Sequence, residues 1–323
     1  MSRSPREVRV TALGGGVHQV TMPLPWALDH VHCYALEDSE GWTLIDCGLG
    51  TPGTLRRWQQ VLNDLGSPHI RRVVITHYHP DHIGASGPLA ALVGAEEVVQ
   101  GTYDRTLALA AWSDPQSAAR FAHYLRANGM PRELVDASVG EEEELPIELA
   151  EPTRLVGEGD VVQIAGEAHR VLLLPGHADG HIALLGESSG RLFSGDVLLA
   201  EITPNVGRWD DSRDDPLGEY LDTLRRIEEL APARVLPGHR ALIDDPARRA
   251  REIAEHHEAR LDEHEQALRA GAVSAYEVVG RVWGDRLGFH EQRFALAEAL
   301  AHLSRLVLQG RAVETTPLRF AAA

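Results

Sequence analysis

The most constraining feature of this sequence is a run of four potential metal ligands within six residues. The run reads His77-Tyr-His79-Pro-Asp81-His82 and directly follows Val73–Thr76, an apolar segment that predicts a buried strand. A tight loop after a strand can direct imidazoles and a carboxylate into one space, and these groups are ligands of first-row metal ions. A solvated polar turn would also explain this run, but it would leave the following segments unexplained.

Three further segments show the same order of a strand followed by a ligand in a loop. His177, Asp196 and His239 each follow a short apolar run, and a glycine directly precedes each of them. Glycine lets the backbone turn sharply and lets a metal ion approach closely. Each segment alone is a weak signal, but four in one chain favour a metal centre.

The composition excludes several classes of chemistry. The 323 residues carry a formal charge of −17, and all 31 basic residues are arginine, because the chain contains no lysine. Neither Schiff-base catalysis nor a P-loop lysine is therefore available. The acidic balance disfavours a nucleic-acid partner without excluding it, because phosphate neutralisation needs a basic surface.

The N-terminal region and the cysteines indicate the cellular compartment of the protein. Met1–Val10 contains arginines and no apolar core, so it does not resemble a signal peptide. Glycines and prolines interrupt the uncharged stretch Val10–Leu28, which makes it too polar to span a membrane. Cys33 and Cys47 are too few for a disulfide framework, and we expect buried thiols. These features predict a cytoplasmic protein with no membrane partner.

The apolar pattern predicts two halves that each combine strands with helices. Strands are expected between residues 17 and 100 and between 161 and 236, separated by a helical insertion at 101–150 that fades into a loop with the acidic run Glu141–Glu144. After Pro246 the strand signal stops, and three helices with a short extended tail are expected. The prediction is an α/β catalytic domain over residues 1–245 and a small α-helical domain over 246–323.

These segments together resemble the metallo-β-lactamase superfamily, and most closely its glyoxalase II-like hydrolases. The resemblance covers residues 17–244 and includes the ligand run, the three later ligands and Asp46, which matches an early structural aspartate of the family. It implies an αββα sandwich of two mixed sheets covered by helices, with metals at one edge of the sheets. The C-terminal helices and tail resemble a winged-helix-like appendage found in one branch of the superfamily.

The resemblance also implies a role for each ligand. One Zn²⁺ would be held by His77, His79 and His177, a second by Asp81, His82 and His239, and both by the bridging Asp196. Two ions about 3.5–4 Å apart lower the pKa of a shared water, and the bridging hydroxide would attack a carbonyl or phosphoryl centre, with Asp81 orienting it. Iron or manganese would also suit these ligands. Asp46 and His181 are expected behind the ligands rather than on the metals.

The residue at position 196 bears on the substrate. True β-lactamases of the superfamily usually place Cys or Ser where this chain has Asp196, so a lactam is disfavoured. A thioester, ester or lactone is easier chemistry, because a thiolate or alkoxide leaves with little help from an acid. Glutathione thioesters are disfavoured by the missing lysines, since the enzymes that cleave them bind the peptide carboxylates with Lys and Arg. The residues expected to line the substrate pocket are Trp26, Tyr78, Trp112 and Tyr124.

The sequence therefore favours a dinuclear zinc hydrolase of small acyl compounds and leaves three alternatives open. An endoribonuclease of the same superfamily would use the same ligands on a phosphodiester. A β-lactamase and an iron-dependent persulfide dioxygenase are the other two. A catalytically inactive binding module would need broken ligands, and none is broken. A homo-oligomer is compatible with the sequence.

Overall fold

The computed structural model describes residues 7–271 and 273–323, and two stacked β-sheets form its centre. The strands of the first sheet are β1 (Arg9–Gly14), β2 (Val17–Pro23), β3 (His30–Leu36), β4 (Trp42–Ile45), β5 (Ile70–Ile75), β6 (Glu97–Gly101) and β7 (Arg154–Val156). They lie in chain order, antiparallel from β1 to β4 and parallel from β4 to β7.

The second sheet is smaller and also mixed. Its strands are β8 (Val161–Ile164), β9 (Glu167–Leu173), β10 (Ile182–Gly186), β11 (Arg191–Gly195) and β12 (Arg234–Pro237). Their order is β12-β11-β10-β9-β8, in which β11 and β12 are parallel and the other neighbours antiparallel.

Successive residues of the central strands face opposite layers, as the two-residue period of a strand requires. In β5, Val74 packs between the sheets and Val73 packs towards the outer helices, and in β11 Phe193 faces inward and Leu192 outward. Strands covered on both faces read as continuous apolar runs rather than as alternating patterns. The result is a helix–sheet–sheet–helix sandwich, which confirms the predicted fold class.

The helices cover both outer faces and build the C-terminal region. In the described residues they are α1 (Pro52–Asp64), α2 (Pro80–Ile83), α3 (Ser86–Val93), α4 (Thr102–Trp112), α5 (Ser117–Ala127), α6 (Arg132–Glu143), α7 (Pro216–Leu230), α8 (Pro246–Arg269), α9 (Ala275–Val282) and α10 (Glu291–Leu308). A hairpin of β13 (Ala312–Thr316) and β14 (Arg319–Ala322) follows α10. No helix in the described ranges is long and apolar enough to cross a membrane.

Three of the long helices begin with the same local signal. Thr51, Asp215 and Asp245 each accept a hydrogen bond from a backbone N–H of the first turn, and a proline occupies the next position. The side-chain oxygen satisfies one free N–H of the helix end, and proline at this position needs no N–H partner. Local sequence therefore fixes where these helices begin, before any packing is considered.

Several elements differ from the sequence prediction, among them the short strand β7 (Arg154–Val156), which lies outside the predicted strand ranges. Strand β1 (Arg9–Gly14) was not expected, because its side chains are mostly exposed and show no apolar period. Helix α6 (Arg132–Glu143) occupies the predicted loop and includes most of the acidic run, since only Val135 and Ser138 are buried and the helical period is weak. The extended tail is paired as a hairpin.

The C-terminal helices share a core with the second sheet. Leu192 of the sheet, Leu217 of α7, Ile253 of α8 and Leu300 of α10 belong to one continuous buried cluster. The packing is therefore uninterrupted across residue 245. The division of the chain there into two domains stays a prediction.

Three histidines are buried between α8 and α10. The rings of His264 and His302 stack with centroids 4.5 Å apart, and His302 Nδ1 donates to the Glu298 carbonyl at 2.8 Å. That bond leaves His302 Nε2 as an acceptor for His257 Nδ1 at 3.3 Å. Burial lowers the pKa of His257 to about 2 and that of His264 to about 4. All three imidazoles are therefore neutral in the folded chain at neutral pH.

This cluster predicts a loss of stability in mild acid. An unfolded histidine binds a proton near pH 6.5, whereas the folded His264 does not until about pH 4. The free energy of unfolding is therefore highest above pH 6.5, and it decreases as the pH falls from 6.5 towards 4. Replacing His264 by Phe should reduce the slope of the unfolding free energy between about pH 4.5 and 6 by about 1.4 kcal/mol per pH unit. Urea unfolding at several pH values measures this slope, and an unchanged slope would contradict the prediction.

Candidate metal centre

Five strands carry the candidate residues beyond their carboxyl ends, and within each sheet these strands run in the same direction. Strands β4 and β5 are parallel neighbours, as are β11 and β12, and β9 runs with β11 because β10 is antiparallel to both. The residues that follow these strands are Asp46, His77, His177, Asp196 and His239. Loops from both sheets thus meet at one edge of the sandwich.

Three imidazoles form the first group of ligands. His79 Nδ1 lies 3.1 Å from His77 Nε2 and 2.9 Å from His177 Nε2. Tetrahedral coordination at a metal–nitrogen distance of about 2.0–2.1 Å places two ligand atoms about 3.3 Å apart. The three nitrogens therefore have the spacing of one coordination sphere.

A second group contains Asp81, His82 and His239. His239 Nε2 lies 3.2 Å and His82 Nε2 3.8 Å from Asp81 Oδ2. Asp196 stands between the two groups, since its Oδ2 is 3.1 Å from His239 Nε2 and 3.7 Å from His177 Nε2. The structure thus brings together all seven predicted ligands. Their assignment to individual metal ions stays a prediction.

Hydrogen bonds on the far side of the rings select the free nitrogen of each histidine. His177 Nδ1 donates to the carbonyl of Asn205 at 2.8 Å, and His239 Nδ1 donates to the carbonyl of His30 at 2.6 Å. A carbonyl only accepts, so Nδ1 carries the proton and Nε2 keeps its lone pair. This is the tautomer that a metal ligand needs.

Asp46 selects the tautomers of the ligand loop. Its Oδ2 accepts from His82 Nδ1 at 2.8 Å and from Thr76 Oγ1 at 2.9 Å, and its Oδ1 accepts from the Thr76 backbone N–H at 2.8 Å. Because the Thr76 hydroxyl donates to Asp46, it accepts from His77 Nδ1 at 3.0 Å. Nε2 is therefore free on both His77 and His82. Asp46 thus lies where the sequence prediction put it, behind the ligands.

His181 also lies behind the ligands. Its Nε2 accepts the backbone N–H of Asp196 at 3.2 Å, and its ring stacks on that of His77 with centroids 4.5 Å apart. It contacts two candidate ligands but belongs to none of the ligand groups found in the described residues. This position suits a residue that orients ligands.

Unpartnered atoms at the centre test whether a metal fits. His82 Nε2, His239 Nε2 and Asp196 Oδ1 are buried and have no hydrogen-bond partner within the described part of the chain. Buried polar atoms are almost always satisfied, so their partner is expected from outside the chain. Neutral imidazole nitrogens with carboxylate oxygens are a donor set for zinc, iron or manganese. The residues present therefore fit a metal centre.

The protonation of the rings follows from burial and from the two carboxylates. Burial lowers the pKa of His79 to about 3 and keeps that ring neutral. Burial also acts on His239, but Asp196 and Asp81 outweigh it and raise the pKa of His239 to about 9. The carboxylates thus create a negative field that attracts protons and metal cations to the same nitrogens.

Two glycines let the second sheet approach the centre. A Cβ on Gly238 would overlap with Asp196 Oδ1, and a Cβ on Gly195 would lie 2.6 Å from His181 Nε2. Gly195 also has a positive φ of 48°. The glycines that precede His239 and Asp196 are therefore required by close packing.

Helix α4 holds the ligand loop by the peptide groups of Tyr78, which sequence reasoning missed. Asp104 Oδ1 accepts from the Tyr78 N–H at 2.8 Å, and Trp112 Nε1 donates to the Tyr78 carbonyl at 2.8 Å. Gln100 binds the other oxygen of Asp104 at 2.8 Å. Asp104 is fully buried, which raises its pKa to about 8. An acid in the first turn of a helix is commonplace, so the sequence gives no signal of this role.

An apolar cavity of about 530 Å³ opens onto the candidate ligands. Trp26, Tyr78 and Trp112 line it, as the sequence predicted. The cavity also includes His290, Arg293 and Phe294 from the start of α10 and Trp209 from the loop before α7. Sequence reasoning missed these residues because they are far from the ligands along the chain.

The expectation for Tyr124 was wrong. This residue is not among those that line the cavity. Its side chain is buried in the core, and its hydroxyl donates to the Arg208 carbonyl at 2.6 Å. An aromatic at helical spacing packs in a core as readily as in a cleft, and only the fold distinguishes the two.

Comparison with solved structures shows the same fold along nearly the whole chain. A metallo-beta-lactamase family protein from Thermus thermophilus superposes with a TM-score of 0.84 at 30% identity and covers 97% of this chain and all of its own. A beta-lactamase domain protein from Burkholderia ambifaria gives a TM-score of 0.88 at 31% identity, covering 97% of this chain and 94% of that one.

Sequence comparison identifies relatives that are named as hydrolases. The "Probable metallo-hydrolase YqjP" of Bacillus subtilis is 32% identical over 234 residues, which span 68% of this chain and 70% of that protein. An "Atrochrysone carboxyl ACP thioesterase" of Aspergillus fumigatus is 26% identical over 245 residues, or 75% of this chain and only 58% of the relative.

Two family profiles match the chain. Residues 261–323 match the profile described as "Metallo-beta-lactamase-like, C-terminal domain". Residues 26–239, which include every candidate ligand, match that of the metallo-beta-lactamase superfamily. The chain therefore belongs to the metallo-beta-lactamase superfamily.

Proposed function

We propose that this protein is a dinuclear zinc hydrolase that cleaves a small acyl compound, with a thioester as the first candidate and an ester or lactone as the others. One observation carries the proposal. Seven His and Asp side chains, with the free nitrogens of four of the rings set by hydrogen bonds behind them, converge beside a large apolar cavity.

The seven candidate ligands would hold two divalent ions, which would lower the pKa of a bound water and polarise the carbonyl under attack. The chain's own residues hold and orient the reactants. Asp81, whose carboxylate lines the cavity beside the His239 ring, is placed to accept a proton from the attacking water and to hold it in line with the carbonyl.

The cavity walls select the acyl group and exclude water. Trp26 and Trp112 offer apolar surface, and Trp209 and Phe294 pack edge to face beside them. An apolar acyl chain buried there gains about 0.8 kcal/mol for each methylene. A thiolate or alkoxide leaves with little assistance, so no additional acid is required.

Two features support acyl over phosphodiester chemistry. The cavity is apolar, and the chain is strongly acidic, whereas a nuclease needs a surface that neutralises phosphates. The relative from Aspergillus fumigatus, named as an acyl-carrier-protein thioesterase, favours a thioester among the acyl candidates. Asp196 fits the glyoxalase II-like set of ligands better than that of the true β-lactamases.

Metal content is the first test. We expect about two zinc ions per chain by plasma mass spectrometry and loss of bound zinc in His177→Ala, since each ion needs its full set of ligands. Asp46→Ala should weaken zinc binding by about 10- to 100-fold, because this carboxylate orients two ligands. His69→Ala, which changes an exposed histidine before β5, is the matched control. One iron per chain would favour the persulfide dioxygenase instead.

Substrate class is tested by turnover of thioesters, lactones, β-lactams and RNA with the zinc-loaded protein. We expect thioester or ester hydrolysis that disappears in Asp81→Ala and His77→Ala and persists in His69→Ala. Retained turnover in Asp81→Ala or His77→Ala would contradict the assignment of the site. RNA cleavage alone would favour the endoribonuclease, and lactam cleavage alone the β-lactamase.

The role of the cavity is tested by acyl-chain length. Replacing Trp26 by Ala removes apolar surface from the wall, so kcat/KM for a decanoyl thioester should fall about tenfold while that for an acetyl thioester changes little. Trp42→Phe is the matched control, because Trp42 stacks on His18 at the first residue of β4, at the other end of this strand from Asp46, and is not among the residues that line the cavity. An equal loss for both thioesters would show that Trp26 does not contact the acyl chain.

A further inference from the structure

Arg240 occupies an unusual position beside the candidate metal centre. It directly follows the ligand His239 and lines the same cavity as His79, Asp81 and Asp196. Its backbone is left-handed with a φ of 66°, a conformation that side chains with a Cβ rarely adopt. Its Nε is buried and has no hydrogen-bond partner among the described residues.

Two histidines of β3 hold this backbone in place. The N–H of Arg240 donates to His30 Nε2 at 3.3 Å, and the carbonyl of Arg240 accepts from His32 Nε2 at 2.9 Å. Because His30 Nε2 accepts, His30 Nδ1 carries the proton and donates to Asp29 Oδ1. Because His32 Nε2 donates, His32 Nδ1 is unprotonated and accepts from Thr21 Oγ1.

Among the described residues, three arginines line the cavity, and they differ in their ion pairs although the buried Nε of Arg293 is unpartnered like that of Arg240. Arg120 pairs with Asp114, and Arg293 pairs with Glu141. Arg240 forms no ion pair with a carboxylate among residues 7–271 and 273–323. Arg240 is half-buried, and its buried Nε–H is a donor without an acceptor, which is costly, so an acceptor is expected from the bound molecule.

We propose that Arg240 forms an anion subsite that binds a carboxylate on the acyl part of the substrate. The proposal rests on the proposed function, whose substrate it narrows to an acyl thioester or ester with a second, ionised carboxyl group close to the scissile carbonyl. Guanidinium binds a carboxylate through two parallel hydrogen bonds, which gives both affinity and orientation.

The position of Arg240 decides between two sources of the anion. A carrier thioester also bears a phosphate, but the full length of the pantetheine arm separates this phosphate from the sulfur. Arg240 lines the cavity together with the candidate ligands Asp81 and Asp196, so its partner is expected on the acyl side, near the reacting carbonyl. The remaining charged residues of the cavity wall include Glu142, Asp210 and Asp211, which would repel an anion placed beside them.

The test compares anionic and neutral acyl groups of equal size. Hydrolysis of glutaryl and hexanoyl N-acetylcysteamine thioesters is measured with the zinc-loaded wild type, Arg240→Gln and Arg240→Lys. The control is Arg251→Gln, which changes a surface arginine paired with Glu228. The wild type should prefer the glutaryl thioester. Arg240→Gln should lose about 10- to 100-fold of kcat/KM for it and little for the hexanoyl thioester, and Arg240→Lys should recover only part of the loss.

A second arm separates this proposal from the proposed function. Calorimetry compares glutarate with valerate on the same zinc-loaded proteins, and the wild type should bind glutarate more tightly while Arg240→Gln loses that difference. If no thioester is hydrolysed but the difference in binding holds, the proposed function fails and the anion subsite stands. Equal binding of the two acids by the wild type, or an equal loss for both thioesters in Arg240→Gln, would overturn the subsite. A preference for phosphopantetheine over pantetheine thioesters that depends on Arg240 would place the anion on the thiol side and also overturn it.

Discussion

The carboxylate of Asp46 is the contact on which the candidate metal centre depends. It receives hydrogen bonds from the backbone and hydroxyl of Thr76 and from the ring of His82. Through the Thr76 hydroxyl it also sets the tautomer of His77. One side chain at the end of β4 thus fixes the loop that follows β5. Its left-handed backbone, with a φ of 60°, is held by the surrounding bonds, as expected for strain at a functional site.

The buried carboxylates of the same centre reduce the stability of the folded chain. Asp81 and Asp196 bring two carboxylates into a site whose other ligands are imidazoles, and both are buried. Burying charges without a counter-charge costs several kcal/mol. The raised pKa of His239, about 9, reflects this excess of negative charge. Cations bound at the site would offset this cost and would thereby couple metal binding to folding stability.

The sequence predicted the parts of this protein that follow from local patterns. The ligand run and the later ligands beyond their strands both rest on neighbours in the chain. The roles of Asp104 and His30 could not be predicted in this way. Asp104 acts through the peptide of Tyr78, and His30 through the carbonyl that orients His239 and the ring that holds Arg240. Their partners become neighbours only when the chain has folded.

Tyr124 and α6 are two cases in which a local sequence pattern led to an expectation that differs from the fold. An aromatic on a helical insertion has no local feature that separates a cavity wall from a core, and the fold placed Tyr124 in the core. In α6 the acidic run suggested a solvated loop, yet Glu141 lies at the end of a helix and pairs with His290 and Arg293. That contact joins the insertion to α10, and it could not be inferred from two segments that lie far apart along the chain.

The candidate ligands and much of the cavity wall lie on different parts of the fold. The ligands come from the strand ends of the sandwich, whereas much of the cavity wall comes from the insertion and from the start of α10. Trp26 stacks on His290, so the loop after β2 and the C-terminal region meet at the cavity. A relative that shares only residues 26–239 would keep the metal centre and lose part of this wall. Because the same candidate ligands would serve acyl and phosphodiester cleavage, the substrate must be inferred from the cavity walls and from residues such as Arg240.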